Sequence, residues 1–229
     1  MTQPAYITPE LFGFFRELKV NNNREWFEAN KQRYEKCVRE PLLRFITDFG
    51  VRLAEISPHY VADARKSGGS LFRINRDIRF SKDKSPYKTA AGVQFRHEAG
   101  KDAHAPGFYL HLEPDGVFVG VGIWQPDSPA LSKIRDAIIT HPENWRQASR
   151  DAAFLKVFNI GGESLKKPPR GYDPDHPFVE DLKRKDFIAS TSFDEAEVCA
   201  PNFMDCYSQV CHQAVPYVRF LTTALGLSW

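Results

Sequence analysis

Residues 108–123 read FYLHLEPDGVFVGVGI, and this stretch predicts a β-hairpin. Apolar residues alternate with polar or small ones on both sides of Asp115-Gly116, which is the period of a half-buried strand. Asp-Gly suits a two-residue type I′ turn, whose register places Leu112 opposite Val119 and puts the apolar side chains on one face. A three-residue Pro-Asp-Gly loop with a bulge is the alternative, and it would shift the pairing by one residue and spoil that match.

Further strands and helices are predicted around this hairpin. The strand candidates are residues 72–80, the segment that carries Val93, Phe95 and His97, and residues 187–193. Apolar residues at helical spacing come before these strands and return after Trp124. Helices, then antiparallel strands, then helices predict an α+β fold: a central antiparallel sheet over about residues 70–124, with a further strand near 187–193, packed by N-terminal and C-terminal helices.

The bulk composition is that of a globular protein. Hydrophobic residues make up 42% and charged residues 26% of the 229 residues, and no repeat or long linker interrupts the chain, so one domain over residues 1–229 is expected. No apolar run reaches the length that a bilayer requires, and the first residues lack the features of a secretory signal. Without a spanning apolar run, no membrane association is expected. The four cysteines show no metal-type C-x-x-C spacing, which favours free thiols in a cytoplasmic protein.

Positive charge is concentrated in residues 72–89, FRINRDIRFSKDKSPYKT, the basic segment. Residues 65–88 hold eight basic and two acidic side chains, a net charge of +6, whereas the whole chain is only +2. The remainder of the chain is therefore net acidic. Charge collected in one place indicates an anionic partner near this segment.

The candidate anion ligands are Arg73, Arg76 and Arg79 on the predicted strand and Lys84 in the turn that follows it. Guanidinium and ammonium groups suit a phosphate or a carboxylate. Arg76 would point to the apolar side of the strand, so it needs a carboxylate partner, an open sheet edge or a ligand. The alternative is a solvated strand whose charges pair internally, with Asp77 bound to Arg79 or Arg73.

A second candidate site lies along the glycine-bearing strand of the hairpin. Gly120 and Gly122 share a face with Trp124, and the type I′ register places Tyr109 and His111 opposite the two glycines. Missing side chains leave a trough, and glycine in a strand often marks the close approach of a ligand or of another backbone. The two interpretations are a pocket between these side chains and a helix packed tightly on the glycines.

A third candidate is the loop KKPPRGYDPDHP, residues 166–177. Asp173, Asp175 and His176 are a compact trio that can bind a metal or transfer protons. Their spacing matches no specific metal motif, so no metal is assigned. Alternatively, Asp175 or His176 caps a helix that begins at Pro177.

Four motifs together resemble an uncharacterised family of conserved bacterial and fungal proteins that is catalogued as a domain of unknown function. They are LFGFFRELKVNNNREWFEANKQRY (residues 11–34), the basic segment, YLHLEPDGVFVGVGIW (residues 109–124) and KKPPRGYDPDHP (residues 166–177). The resemblance spans nearly the whole chain. It implies that the three candidate sites belong to one recurring architecture, and it implies no catalytic roles.

The pattern favours a site for a phosphate-bearing or other anionic small molecule. Arg73, Arg76, Arg79 and Lys84 would bind the charge, while Tyr109 and Trp124 would hold an apolar or base-like part. Proton transfer, if the site is catalytic, would fall to His111, Asp175 or His176. The alternatives are a nucleic-acid-binding module, which usually needs a longer basic stripe, and a protein-interaction module with an acidic partner. No reaction and no cofactor is assigned.

Overall fold

A computed structural model describes residues 5–100 and 105–229 of the chain. The helices are α1 (Pro9–Val20), α2 (Arg24–Tyr34), α3 (Glu40–Ile56), α4 (Ser128–Thr140), α5 (Pro142–Arg150), α6 (Ala152–Val157), α7 (Val179–Leu182), α8 (Glu195–Val198), α9 (Phe203–Gln213) and α10 (Val215–Ala224). A π-helical turn, Glu35–Arg39, joins α2 to α3. The strands are β1 (Tyr60–Val61), β2 (Ala91–His97), β3 (Gly107–Leu112), β4 (Val117–Ile123), β5 (Asn159–Gly161) and β6 (Phe187–Phe193).

The six strands form one antiparallel sheet in the order β1-β2-β3-β4-β6-β5. This confirms the α+β class, and β2, the hairpin of β3 with β4, and β6 lie where the sequence predicts strands. The division into a single domain stays a prediction. No helix within the described ranges is both long and apolar enough to cross a bilayer.

Helices cover one face of the sheet, because every second strand residue is apolar. Phe95, Leu110 and Val119 are fully buried on this face. The ring of Phe49 from α3 lies 4.8 Å from that of Phe95, measured between centroids. The C-terminal helices reach the same face through the ring of Tyr207 from α9, 6.1 Å from Phe95. N-terminal and C-terminal helices therefore pack on the sheet, as the sequence predicts.

The predicted register of the hairpin is wrong by two residues. Val119 pairs with Leu110 rather than with Leu112, and the connection is the four-residue turn 113–116. Pro114 takes the second position of that turn and Asp115, with φ 62°, the third, as in a type II turn. A type I′ turn would have placed Pro114 in the strand ladder, where it has no N–H to donate. Since the shift is even, the apolar side chains stay on one face.

The predicted strand over residues 72–80 is also wrong. The basic segment leaves the sheet after Leu71, which forms an isolated bridge with Val93, and its two ends pair with each other. The N–H of Arg76 donates to the Pro86 carbonyl at 2.9 Å. Phe80, which the period-two pattern assigns to the apolar face, is 96% exposed at the tip of this excursion. Alternation identified an extended chain but not its partner, which is the returning half of the same segment.

Candidate functional site

The open face of the sheet carries a cavity of about 620 Å³, the sheet cavity. Its base is a row of paired residues that crosses four strands: Gln94, Tyr109, Gly120 and Ser190. Its lining residues are Phe72, Gln94, Gly107, Tyr109, His111, Phe118, Gly120, Val121, Gly122, Trp124, Ile188, Ala189, Ser190 and Ser192. Aromatic and small apolar groups thus surround a few polar ones, which is the usual composition of a small-molecule site.

The glycine-bearing strand was expected either to open a pocket or to allow tight packing. The first interpretation holds for Gly120 and the second for Gly122. A methyl group on Gly120 would lie 3.6 Å or more from Phe118 and Tyr109, so the missing side chain leaves space in the sheet cavity. A methyl group on Gly122 would instead overlap the carbonyl oxygen of Phe187 and lie 3.1 Å from the ring of Tyr217 in α10. Gly120 therefore opens the cavity, whereas Gly122 permits close packing.

A chain of hydrogen bonds runs along β3 on this open face. The hydroxyl of Tyr109 lies 2.9 Å from Nδ1 of His111, and Nε2 of His111 lies 3.2 Å from Oε2 of Glu113. Thr89 donates a hydrogen bond to the other carboxylate oxygen of Glu113 at 3.3 Å. Glu113 was not among the predicted site residues, although its position two residues after His111 places it on the same face.

The Tyr109 hydroxyl occupies space that Gly92 leaves free in the neighbouring strand. A methyl group on Gly92 would lie only 2.6 Å from this oxygen. Burial, with a smaller contribution from the charge of Glu113, raises the pKa of Tyr109 to about 12. The hydroxyl therefore keeps its proton at neutral pH unless a neighbouring base accepts it.

Aromatic rings define the sides of the sheet cavity. The ring of Phe118 stacks on that of His111 with centroids 4.7 Å apart, and Phe72 lies 5.9 Å from Tyr109. Trp124 is 51% exposed at the rim. The buried carboxylate of Asp186 accepts a hydrogen bond from the N–H of Gln125 at 2.7 Å, which fixes the turn directly after Trp124. The predicted residues Tyr109, His111 and Trp124 are thus brought together.

None of the four predicted cations lines the sheet cavity, and three of them bind within the basic segment. Arg76 pairs with Asp83, Arg79 donates to Asp77 at 2.6 Å, and Lys84 donates to the carbonyl of Ile78 at 2.9 Å. Hydrogen bonds from Arg79 lower the pKa of Asp77 to about 2. Bonds from Ser85, followed by Arg76, lower the pKa of Asp83 as well. These contacts persist above the ordinary carboxyl pKa and are lost only as the pH falls through the lowered values.

Lys88, which was not among the predicted ligands, lies beside the sheet cavity, and the predicted Arg73 directly follows the lining residue Phe72 in the chain. The ammonium of Lys88 lies 5.3 Å from the centre of the Phe72 ring, one side of the cavity. Burial, and then the charge of Arg73, lowers the pKa of Lys88. Neither cation has a carboxylate within 4.0 Å among the residues that the structure describes. The two positive charges repel each other, and the charge of Arg73 also contributes to the lowered pKa of Asp77. The ammonium of Lys88 beside Phe72 is therefore the cation best placed to meet an anion in the cavity.

Asn22 fixes the base of the basic segment to the N-terminal helices. Its side chain donates to the carbonyl of Tyr87 at 3.0 Å and accepts from the N–H of Tyr87 at 3.1 Å. The ring of Tyr87 stacks on Phe27 with centroids 4.1 Å apart. Asn23 caps α2, so the cap does not account for Asn22. The presence of this further asparagine was the only sequence signal for the contact with Tyr87.

The predicted residues of the loop 166–177 lie outside the cavity lining. Nδ1 of His176 accepts a hydrogen bond from the N–H of Phe178 at 3.1 Å, just before α7. Asp175 is exposed, and its N–H donates to Asp173 at 2.9 Å. Both contacts shape the turn that leads into the helix. Within residues 5–100 and 105–229, no group of three or more His, Cys, Asp or Glu side chains is arranged to bind a metal.

Comparison with known proteins places the chain at the level of a family. No curated protein and no solved structure matches it. One family model matches residues 10–220, which is most of the 229-residue chain. The match includes the helices that fix the basic segment, the whole sheet and the loop before α7. The chain therefore belongs to the DUF2461 family of conserved hypothetical proteins.

Proposed function

We propose that the sheet cavity binds a small organic molecule that carries a phosphate or another anionic group. One observation supports this most strongly: a cavity of about 620 Å³ with aromatic sides lies next to Lys88, a cation with no carboxylate within 4.0 Å in the described part of the chain. An apolar cavity with a few polar groups holds the body of a ligand. Arginine and lysine at its edge provide for the charge.

The ligand-binding roles divide by chemistry. Trp124 and Phe118 contact a flat apolar body above Gly120, because both aromatic side chains line the cavity. Tyr109 and His111 offer hydrogen bonds at its base, and Arg73 acts with Lys88 on the anionic group. Direct contact of the ligand with Arg76, Arg79 and Lys84 stays a prediction from the sequence, and so does a role for Asp175 or His176.

Naphthyl phosphate is a suitable probe, because it joins a flat aromatic body to a phosphate. We expect it to raise the free energy of unfolding by about 2.7 kcal/mol at about 100 times its dissociation constant. Naphthol, which lacks the charge, and inorganic phosphate, which lacks the ring, should each bind more weakly. Thermal-shift titration of the wild-type protein with the three compounds measures this order.

Variants separate the two halves of the site. Gly120→Leu should abolish the shift with naphthyl phosphate and with naphthol, because the added side chain fills the cavity. Lys88→Gln and Arg73→Gln should weaken the binding of naphthyl phosphate but leave the binding of naphthol unchanged. Lys82→Gln, which removes an exposed cation at the tip of the basic segment, is the matched control. Equal shifts in wild type and in Gly120→Leu would contradict the proposal.

The exposed Phe80 favours a second candidate function, binding of single-stranded nucleic acid. Phe80 can stack on a base, while Arg79 and Lys82 lie close to it in the chain and can contact phosphates. Fluorescence anisotropy with a labelled oligothymidylate should then show affinity that falls steeply with salt. Phe80→Ala should weaken this binding by about 1–3 kcal/mol. Binding unchanged by Phe80→Ala, or no binding at low salt, would eliminate this alternative.

A further inference from the structure

Two polar side chains that line the sheet cavity, Tyr109 and His111, and Glu113, which is hydrogen-bonded to His111, do more than the binding of an anion requires. We infer that Tyr109, His111 and Glu113 form a proton relay that makes the cavity a site of general acid–base catalysis, with the Tyr109 hydroxyl as the group that meets the ligand. This inference rests on the proposed binding function, because the relay acts on a molecule held in the cavity.

The direction of the hydrogen bonds follows from their chemistry. An ionised Glu113 carboxylate only accepts, so Nε2 of His111 carries the hydrogen across the 3.2 Å contact. A neutral imidazole then has an acceptor at Nδ1, and the Tyr109 hydroxyl donates to it across 2.9 Å. The hydroxyl oxygen keeps lone pairs that can accept a proton from a ligand. The relay is thus arranged to receive a proton at Tyr109 and to store it on His111.

The surroundings hold the three groups in place. The Phe118 ring lies nearly parallel to the imidazole, at an interplanar angle of 21° and a centroid distance of 4.7 Å. Thr89 orients Glu113, and Gly92 leaves room for the hydroxyl of Tyr109. A catalytic group whose orientation is fixed by its neighbours is preorganised for proton transfer. Glu113 is a positioning residue here, since it acts through His111.

The proton step balances without another reactant. A ligand X–H transfers its proton to the Tyr109 oxygen while the hydroxyl proton moves to Nδ1 of His111. The ligand is left as X⁻, the tyrosine is again neutral, and the imidazolium has Glu113 as its counter-ion. The reverse movement makes Tyr109 a general acid. The high pKa of Tyr109 agrees with this, because the hydroxyl needs His111 as a base.

Nitrobenzisoxazole tests the relay without knowledge of the natural substrate. It is a flat aromatic compound of a size that suits the cavity, and base removes its ring C–H proton. The electrons of the C–H bond form a nitrile, and the N–O bond breaks to give a coloured nitrophenolate. We expect wild-type kcat to exceed that of His111→Gln by about 10²-fold or more, with similar KM, since general acid–base catalysis contributes 10²–10⁴-fold.

Three variants distinguish the relay from simpler explanations. Tyr109→Phe should lose as much kcat as His111→Gln, whereas a directly acting His111 would gain from the exposure of Nδ1. Glu113→Gln should lower kcat at unchanged KM, because the amide can accept a hydrogen bond but carries no charge. His212→Gln, on the exposed side of α9, is the matched control and should match wild type. Thermal unfolding of each variant confirms that it folds.

The outcomes separate the relay from the binding proposal. Wild-type turnover no faster than that of His111→Gln, or full activity in Tyr109→Phe, would overturn the relay. Either result would do so whatever molecule binds in the cavity. Competition by naphthyl phosphate tests the binding function independently. Relay-dependent turnover without such competition would leave the relay standing and refute the anionic ligand.

Discussion

Replacing Asp181 with alanine is expected to lower the free energy of unfolding by about 3–5 kcal/mol, the cost of removing one member of a buried ion pair. Asp181 in α7 is only 1% exposed. Its carboxylate accepts hydrogen bonds from the indole of Trp145 at 3.0 Å, from Arg150 at 2.7 Å and from Arg184 at 3.1 Å. Without it, the buried indole N–H loses its acceptor, and the Arg184 guanidinium loses its ion pair although it still donates to the Gly161 carbonyl at 3.0 Å.

Urea denaturation of wild type and Asp181→Ala measures this loss. Asp175→Ala is the matched control, because it removes an exposed carboxylate a few residues earlier in the chain. Its free energy of unfolding should stay within about 0.5 kcal/mol of wild type, the usual range for surface substitutions. A loss below about 1 kcal/mol for Asp181→Ala would show that the three donors find other acceptors.

Gly122→Ala should destabilise the protein by about 2–6 kcal/mol, because two penalties add: a strained backbone and an overpacked contact, each of which costs about 1–3 kcal/mol. Gly122 has φ 105°, a backbone conformation that residues other than glycine rarely adopt. Its added methyl group would also overlap the carbonyl oxygen of Phe187 in the neighbouring strand.

Gly120→Ala is the control for this substitution, since it makes the same chemical change two residues earlier on the same strand. Its methyl group would meet only ordinary van der Waals contacts in the sheet cavity. Thermal denaturation should therefore separate the two variants clearly, with Gly120→Ala close to wild type. Equal melting temperatures would contradict the different roles assigned to the two glycines.

Local patterns predicted the elements well but not all of their pairings. The alternation in β3 and β4 identified the hairpin, because side-chain direction along a strand depends only on neighbouring residues. Its register depended on the turn, where Pro114 excluded the type I′ geometry. The same alternation misassigned residues 72–80, since an extended segment looks alike whether it joins the sheet or pairs with its own returning half.

The candidate site was predicted in part for similar reasons. Tyr109, His111 and Trp124 share the cavity because hairpin periodicity puts them on one face. The sequence could not show which cations already have partners. Pairing of Asp77 with Arg79 was one of the alternatives, and it is the arrangement observed. The proximity of Lys88 to the cavity depends on the path of the whole basic segment, which no local pattern describes.

The side-chain clamp between Asn22 and Tyr87 has an evolutionary consequence. It unites segments that lie 65 positions apart in the chain, and it does so through main-chain atoms of Tyr87. A chimera could exchange the N-terminal helices between two relatives. Unless the incoming segment provided an amide side chain at the position of Asn22, the basic segment would lose this attachment. The two segments should therefore be inherited as a set.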